Sequence, residues 1–269
     1  MSDESAPFHI VVEKLEKRFG SFAALSDVNM SIRRGEVTVI IGGSGAGKTT
    51  LLKILIGLDR PTSGSITVNG ESIVGLSERE LNRVRQRFGM VFQYSALLDS
   101  MNVLENVAFP LREHTKLSEK EIRGRVGEKL GVLGLQGTEA KFPSELSGGM
   151  RKRVGLARAL MLEPEAVLYD EPTSGLDPIT SRKVDDLIVE TRDRFGVTSI
   201  VISHDMAGAL RIADQIVLLS GGRVVAAGPP RDLVGSGAAL LREFIESSGI
   251  EAERLLGERR SMAAPERRD

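Results

Sequence analysis

Residues Gly42-Gly-Ser-Gly-Ala-Gly-Lys-Thr49 have the spacing G-x-x-x-x-G-K-[ST] of a loop that holds phosphate. Small residues let successive backbone N–H groups curl around phosphate oxygens. A helix beginning at Lys48 adds its dipole and its free N–H groups. Lys48 has the reach for β- and γ-phosphates, and the Thr49 hydroxyl is suited to Mg²⁺. The pattern follows the apolar run Val37–Ile41 and precedes a helical segment from Lys48 to Gly57, a context that separates it from an ordinary glycine-rich turn. A second apolar run, Ala166-Val-Leu-Tyr, ends in Asp170-Glu171. A hard cation on phosphate needs an oxygen ligand, direct or through water, and Asp170 at a strand tip suits that role. Glu171 would then face the γ-phosphate and polarise an attacking water. Alone, an apolar strand ending in two acids is commonplace; downstream of a phosphate loop it is a candidate site.

Composition bounds what surrounds these residues. The 269-residue chain carries 36 Lys plus Arg against 37 Asp plus Glu, a net charge of -1, so a strongly basic nucleic-acid-coating protein is excluded and no nucleic-acid partner is expected. With no cysteine there is no disulfide scaffold, thiolate zinc site or cysteine nucleophile, and three histidines make a His-rich metal site improbable. Glycine is enriched, 29 residues or about 11% against a usual 7% or so. No run approaches the roughly 18 apolar residues of a membrane span, and the start Met-Ser-Asp-Glu is acidic where a secretory signal is basic. A cytoplasmic location is expected, and any action at a membrane needs another polypeptide to cross it.

The positioning elements alternate between strand and helix. Strands are expected at Val37–Ile41, Ile66–Val68, Met90–Phe92, Ala166–Tyr169, Ser199–Ile202, Ile216–Leu219 and Val224–Ala226. The runs at Val37, Ala166 and Ser199 are apolar throughout, as in parallel strands buried on both faces. β alternation at His9–Glu13 and Val28–Ile32 suits a small antiparallel sheet. Helix starts are marked by Ser77 before Glu80, Asn102 before Glu105 and Ser118 before Glu121, the first and third as full capping boxes. Residues from about 95 to 162 hold almost no strand signal and read as a helical insertion.

Further words in the chain carry a family likeness. Leu146-Ser-Gly-Gly-Met-Arg151 resembles the LSGGQ signature of ATP-binding-cassette (ABC) ATPases. Gln93 falls where that family has its Q-loop at a strand end, Ser174-Gly-Leu-Asp177 resembles the D-loop, and His204 in Ile202-Ser-His-Asp205 resembles the switch histidine. Phe19 in Lys17-Arg-Phe-Gly20 matches the aromatic that stacks on adenine. Met150 stands in place of the usual Gln, and Gly43 in place of a common Pro. The resemblance covers about residues 8–240. It implies an α/β P-loop NTPase fold with a RecA-like parallel-sheet core, an N-terminal antiparallel β subdomain and an inserted α-helical signature subdomain over about 95–162. Residues 1–7 are then an N-terminal tail, and 241–269 a C-terminal helix and disordered tail. ATP and Mg²⁺ are the implied cofactors. Gly42, Gly43, Ser44, Gly45, Ala46, Gly47, Lys48, Thr49 and Thr50 with Phe19 would bind ATP. Thr49, Gln93 and Asp170 would hold Mg²⁺. Glu171, His204 and Gln93 would be catalytic. Ser147, Gly148, Gly149 and Asp177 would act in trans, because in the family two copies sandwich two ATP molecules head to tail. A P-loop kinase is the competing enzyme class, and the signature and D-loop argue against it.

The segment Tyr94 to His114, ending Phe109-Pro-Leu-Arg-Glu-His114, and Leu146 to Arg153 resemble the ATPases of Mla-type and Mce-associated lipid transporters. That likeness implies a subunit on the cytoplasmic face of an inner membrane, energising a separate permease docked near residues 93–114. It implies lipid movement between membranes, which would maintain outer-membrane lipid asymmetry. It allows an MCE-domain lipid-binding protein and a STAS-domain subunit as further partners. A small-solute importer is the alternative, and a soluble ABC ATPase of DNA repair or translation a more distant one, lacking the coiled-coil insertion or second cassette those carry.

Overall fold

The computed structural model describes residues 8–93, 95–235 and 245. The expected tails at 1–7 and 241–269 thus lie outside the described residues, Ile245 apart, as does Tyr94.

Two long strands, β1 (Phe8–Phe19) and β2 (Phe22–Arg33), pair antiparallel from Phe8↔Arg33 to Phe19↔Phe22. Both run well beyond the stretches where alternation is visible. The reason is local: Lys14 and Asp27 sit at φ 47 and 50, and register shifts fall between Val12 and Leu15. Glu13 and Lys14 are consecutively exposed before Leu15 turns inward, so an extra residue breaks the period of two without ending the strand. β4 (Ser63–Val68) and β5 (Glu71–Ser72) complete this sheet in the order β2-β1-β4-β5.

The second sheet has the order β10-β9-β3-β8-β7-β6. It contains β3 (Val37–Ile41), β6 (Phe88–Val91), β7 (Ala166–Asp170), β8 (Thr198–Ser203), β9 (Gln215–Ser220) and β10 (Arg223–Gly228). All neighbours are parallel except the β9–β10 hairpin. Its strands divide their side chains between two cores. Val37, Val39 and Ile41 join one cluster with Val167, Tyr169, Val201 and Leu218; Ile40 joins the other with Leu168, Ile200, Ile202 and Leu219. That is why these runs read as apolar throughout: each face has its own cover.

The second cluster is covered by the antiparallel sheet with α1 (Lys48–Leu55) and α2 (Glu78–Gln86). The first is covered by α3 (Val103–His114), α4 (Glu119–Val132), α5 (Gly148–Ala159), α6 (Pro178–Phe195) and α7 (Met206–Ile212); α8 (Pro230–Gly235) follows β10. Between residues 95 and 162 the described residues hold helices, a 3-10 turn and loops, with no strand, as expected. α1 is two residues shorter than the expected Lys48–Gly57: it ends at Leu55, and Gly57 follows at φ 67. The caps at Ser77 and Ser118 are full boxes, and so is that at Asn102. Asn102 Oδ1 accepts from the Glu105 N–H at 2.9 Å while Glu105 Oε2 accepts from the Asn102 N–H at 2.9 Å. An amide oxygen serves as well as a hydroxyl there, each cap being worth about 1 kcal/mol. Among the described residues no helix is long and apolar enough to cross a membrane.

The two sheets meet at His9. Its side chain is fully buried, with Nδ1 2.8 Å from Thr198 Oγ1 and the ring stacked on Phe88 at 6.3 Å. Burial, with Arg34 adding to it, pushes the imidazole down to about 4. The folded protein therefore keeps His9 neutral where the unfolded chain, at about 6.5, takes up a proton. Stability from this group is complete above pH 6.5 and is lost as pH falls from 6.5 toward 4. Urea unfolding of wild type and His9→Gln should show wild type losing about 2 kcal/mol more between pH 7 and 5; parallel profiles would show that His9 does not carry this dependence.

Candidate functional site

The phosphate loop leaves the carboxyl end of β3. Gly42 has no room for a side chain: a Cβ there would lie 2.3 Å from the Leu219 carbonyl oxygen. Gly47, the cap of α1, stands at φ 101 with the Ala24 carbonyl and the Leu25 side chain against it. Gly43, Ser44 and Gly45 are exposed, which leaves their N–H edge open to a ligand. The Lys48 ammonium lies over the loop, donating to the Gly42 carbonyl at 2.7 Å and the Gly43 carbonyl at 3.1 Å. Thr49 is exposed in the first turn of α1, and Thr50 half-buried beside it.

Neighbouring strand ends bring the acids and the histidine to the same edge. Lys48 Nζ is 3.9 Å from Glu171 Oε1, and Glu171 Oε2 is 2.7 Å from His204 Nδ1. The Glu171 N–H donates to the Ile202 carbonyl at 2.8 Å, holding the residue at φ 48, a left-handed conformation uncommon for a side chain of this size. Asp170, half-buried at the end of β7, has its carboxyl raised above the ordinary range, first by burial and then by the negative charge of Glu171, with Lys48 and Lys53 acting the other way. A bound cation would relieve both raising effects. Among the described residues no three His, Cys, Asp or Glu side chains gather as a ready-made metal site. A hard cation here would need oxygens from a phosphate beside Thr49 and Asp170.

Gln93 lies two residues past the end of β6 rather than on its last residue, because Phe92 has already turned outward. Its Nε2 donates to Ser174 Oγ at 3.1 Å, so it touches the stretch just after Glu171. Phe19 ends β1 with its ring exposed, opposite an equally exposed Phe22, and Lys17 Nζ sits 4.9 Å from its centroid. A second aromatic thus flanks the one singled out from sequence.

Ser147, Gly148 and Gly149 stand apart. Ser147 caps α5 by accepting from the Met150 N–H at 3.3 Å, and a Cβ on Gly149 would meet nothing within 4 Å. Among the described residues these three make no hydrogen bond to the phosphate loop. Asp177 is engaged in its own helix: it accepts from the N–H groups of Ile179 and Thr180 at 3.0 Å each, and its carboxyl is lowered chiefly by the Thr180 hydroxyl.

Two residues that the sequence reading passed over organise this region. Asn106, fully buried in α3, accepts from the Leu98 N–H at 2.8 Å and donates to the carbonyls of Leu98 and Met101, fixing the loop after Gln93. A polar residue on the apolar stripe Val103–Val107–Leu111 was a readable signal. Lys152 in α5 is 9% exposed; its ammonium donates to the carbonyls of Pro172 and, at 3.4 Å, Gln93. Burial lowers its ammonium from the ordinary lysine range. Arg158, one and a half turns on, donates to the carbonyls of Ser95 and Ala96. The helix capped by Ser147 is thereby tied to Gln93, to the loop just after it and to the residue after Glu171.

Phosphate loop, acid pair, histidine and glycine-led helix on this two-sheet framework define an ATP-binding ATPase of the ABC class. The ABC transporter family matches residues 25–174, and the chain belongs to that family. Among curated relatives it is similar to mkl of Mycobacterium tuberculosis, named for ribonucleotide transport, at 45% identity over 93% of this chain and 70% of that one. It is similar to MlaF of Haemophilus influenzae, an intermembrane phospholipid transport ATP-binding protein, at 42% identity over 89% of this chain and 92% of that one. Among solved structures, cbiO1 of Clostridium perfringens, part of the transporter complex cbiONQ, superposes with a TM-score of 0.80 at 33% identity, over 89% of this chain and 95% of that one. The dimeric cassette MJ0796, bound to ADP and Pi after hydrolysis, superposes at 0.72 and 34% identity, over 82% of this chain and 98% of that one.

Lys152→Met should lower ATP turnover by about a hundredfold, the scale expected when a reacting group is displaced by about 1 Å. ATP affinity of the isolated subunit should stay within about threefold, since Lys152 does not touch the phosphate loop, and Lys152→Arg should restore part of the rate. Steady-state hydrolysis beside nucleotide titration separates these; equal turnover in Lys152→Met and wild type would make the contact merely structural.

Proposed function

We propose that this chain hydrolyses ATP as one of two head-to-tail copies beneath a separate membrane permease, and that the cargo is phospholipid or a related lipid. The observation that carries the catalytic reading is the run Lys48–Glu171–His204 at the edge of three neighbouring strands. Gly42 to Thr50 bind the phosphates, with Phe19 against the base. Thr49, Asp170 and Gln93 would hold Mg²⁺ together with phosphate oxygens, and the ion would supply charge that offsets the phosphates. Glu171 orients the attacking water, and His204, bonded to Glu171, holds the γ-phosphate side. Ser147, Gly148, Gly149 and Asp177 complete the site of the other copy, consistent with their separation from the phosphate loop in one chain and with the dimeric cassette MJ0796.

The lipid cargo is supported by the likeness to MlaF, which runs through 92% of that protein. The name of mkl, ribonucleotide transport, is what keeps a second reading, movement of a small solute. Docking of the permease is assigned to the loop after Gln93 and to α3, where Leu98 and Phe109 are about 40% exposed and Asn106 fixes the loop. An MCE-domain protein and a STAS-domain subunit are compatible partners. On this reading the subunit works at the cytoplasmic face of an inner membrane, reached through the permease.

Glu171→Gln should retain ATP affinity while turnover falls by about a hundredfold or more, the contribution of a positioned base. Ser147→Arg should abolish turnover without weakening ATP binding to the monomer; a monomer that hydrolyses ATP at full rate despite Ser147→Arg would remove the shared site.

Leu98→Glu should release the permease in a pull-down, because it buries an unpaired charge, and leave ATP binding intact. Deleting the gene should sensitise the envelope to detergent and alter its phospholipid distribution. A normal envelope with lost uptake of a small solute would transfer the cargo to the import reading.

A further inference from the structure

A cleft of about 300 Å³ opens between α5 and α6 beside the C-terminal end of α4. It lies outside the phosphate-loop edge, and of the residues that line it only Gly149, Lys152 and Thr180 enter the contacts or roles described above. Its floor is apolar: Val132, Leu133, Val184, Leu187 and Phe195. Four cationic residues line it, Lys152, Arg153, Lys183 and Arg194, against one carboxylate, Glu190, and of the four the Lys152 ammonium already donates to the Pro172 and Gln93 carbonyls. In a chain with balanced charge overall, that local excess is unusual.

None of the four cations forms an ion pair with a carboxylate among the described residues. Lys183 is exposed and makes no hydrogen bond among them. Arg194 and Arg153 each donate once, to the carbonyls of Val132 and Leu133 at the end of α4, at 3.1 and 3.5 Å. A guanidinium has five N–H donors, so each keeps others for an anion. Aliphatic floor and cationic wall together suit a molecule with an anionic head and an alkyl chain. The volume sits at the small end of ligand sites and is less than the roughly 400 Å³ that one turn of a helix about 10 Å across occupies.

We propose that this cleft binds a single-chain anionic amphiphile, an alkyl phosphate or fatty carboxylate taken up as a monomer, with its head at Lys183 and Arg194 and its chain on Leu133, Leu187 and Phe195. Such a ligand spans α5, where Gly149 and Lys152 line the cleft, and α6, where Thr180 and Val184 do. It therefore braces the helix led by Ser147 against the helix capped by Asp177, and it lowers ATP turnover by opposing movement between them. The binding claim rests on the cleft alone and does not depend on lipid being the cargo.

The test is calorimetric titration of the full chain with octyl phosphate, with ADP saturating the phosphate loop so that the head group cannot bind there. One saturable site per chain is expected. Affinity should rise about fourfold for each methylene from hexyl to octyl phosphate. Inorganic phosphate and octanol should each bind at least about tenfold more weakly. Lys183→Glu, which removes no internal contact, should weaken binding about tenfold, and Lys183→Glu/Arg194→Glu should abolish it, with ATP affinity unchanged in both. Equal binding of octanol or of inorganic phosphate, indifference to charge reversal, or binding only to phosphatidylglycerol vesicles would each overturn the proposal. Turnover unchanged at saturating octyl phosphate would remove the bracing effect.

Discussion

Strand β8 hydrogen-bonds in parallel to β3 on one side and β7 on the other, with Ile41 opposite Ser203 and Ile202 opposite Asp170. Every group around the phosphate loop depends on that register. Because the three strands run the same way, their carboxyl ends fall at one edge, the usual place for ligands in open α/β sheets. The phosphate loop leaves the first, His204 the second and Glu171 the third. A slip of one residue in β8 would carry His204 away and exchange the two faces of the strand between cores. The Glu171 N–H bond to the Ile202 carbonyl continues the ladder one step beyond the strand, in a backbone conformation that costs energy. The sheet, buried on both faces, is what can hold it there.

The helical layer answers to a weaker constraint. α5 meets the catalytic edge through donors on long side chains reaching backbone carbonyls: Lys152 to Pro172 and Gln93, Arg158 to Ser95 and Ala96. A buried ammonium without a carboxylate is costly unless its donors are satisfied, so Lys152 has few alternative placements. These contacts couple the helix capped by Ser147 to Gln93 and to the residue after Glu171 through long side chains rather than through the sheet.

How much of this was legible follows from how local each feature is. The phosphate loop, the helix caps and the acid pair are set by residues adjacent in sequence, and each stands where the spacing placed it. The central strands were legible because burial on both faces leaves continuous Val and Ile runs. The long strands β1 and β2 were only half legible, since the extra residues at Lys14 and Asp27 interrupt the alternation that reveals a strand. Gln93 was placed at a strand end because Met90–Phe92 looks apolar, yet Phe92 faces outward and the sheet stops at Val91. Asn106 was readable as a polar break in an apolar stripe. Lys152 was not, because its partners lie 59 and 20 residues away and only the fold makes them neighbours.

The acid pair shows how adjacent residues of one chemical type acquire different work. Asp170 is the last residue of β7 and keeps the strand's conformation, so it remains half-buried with Lys48 and Lys53 as the nearest opposing charges. Glu171 leaves the strand at φ 48, which turns its longer side chain toward Lys48 on one side and His204 on the other. The first acid is raised by its surroundings and gains most from a cation; the second is held by a hydrogen bond to the His204 ring. Two neighbouring carboxyl groups thus stand in separate environments, the condition under which such a pair can be given different roles. Here the division comes from a single backbone step, the change from extended to left-handed conformation between residues 170 and 171.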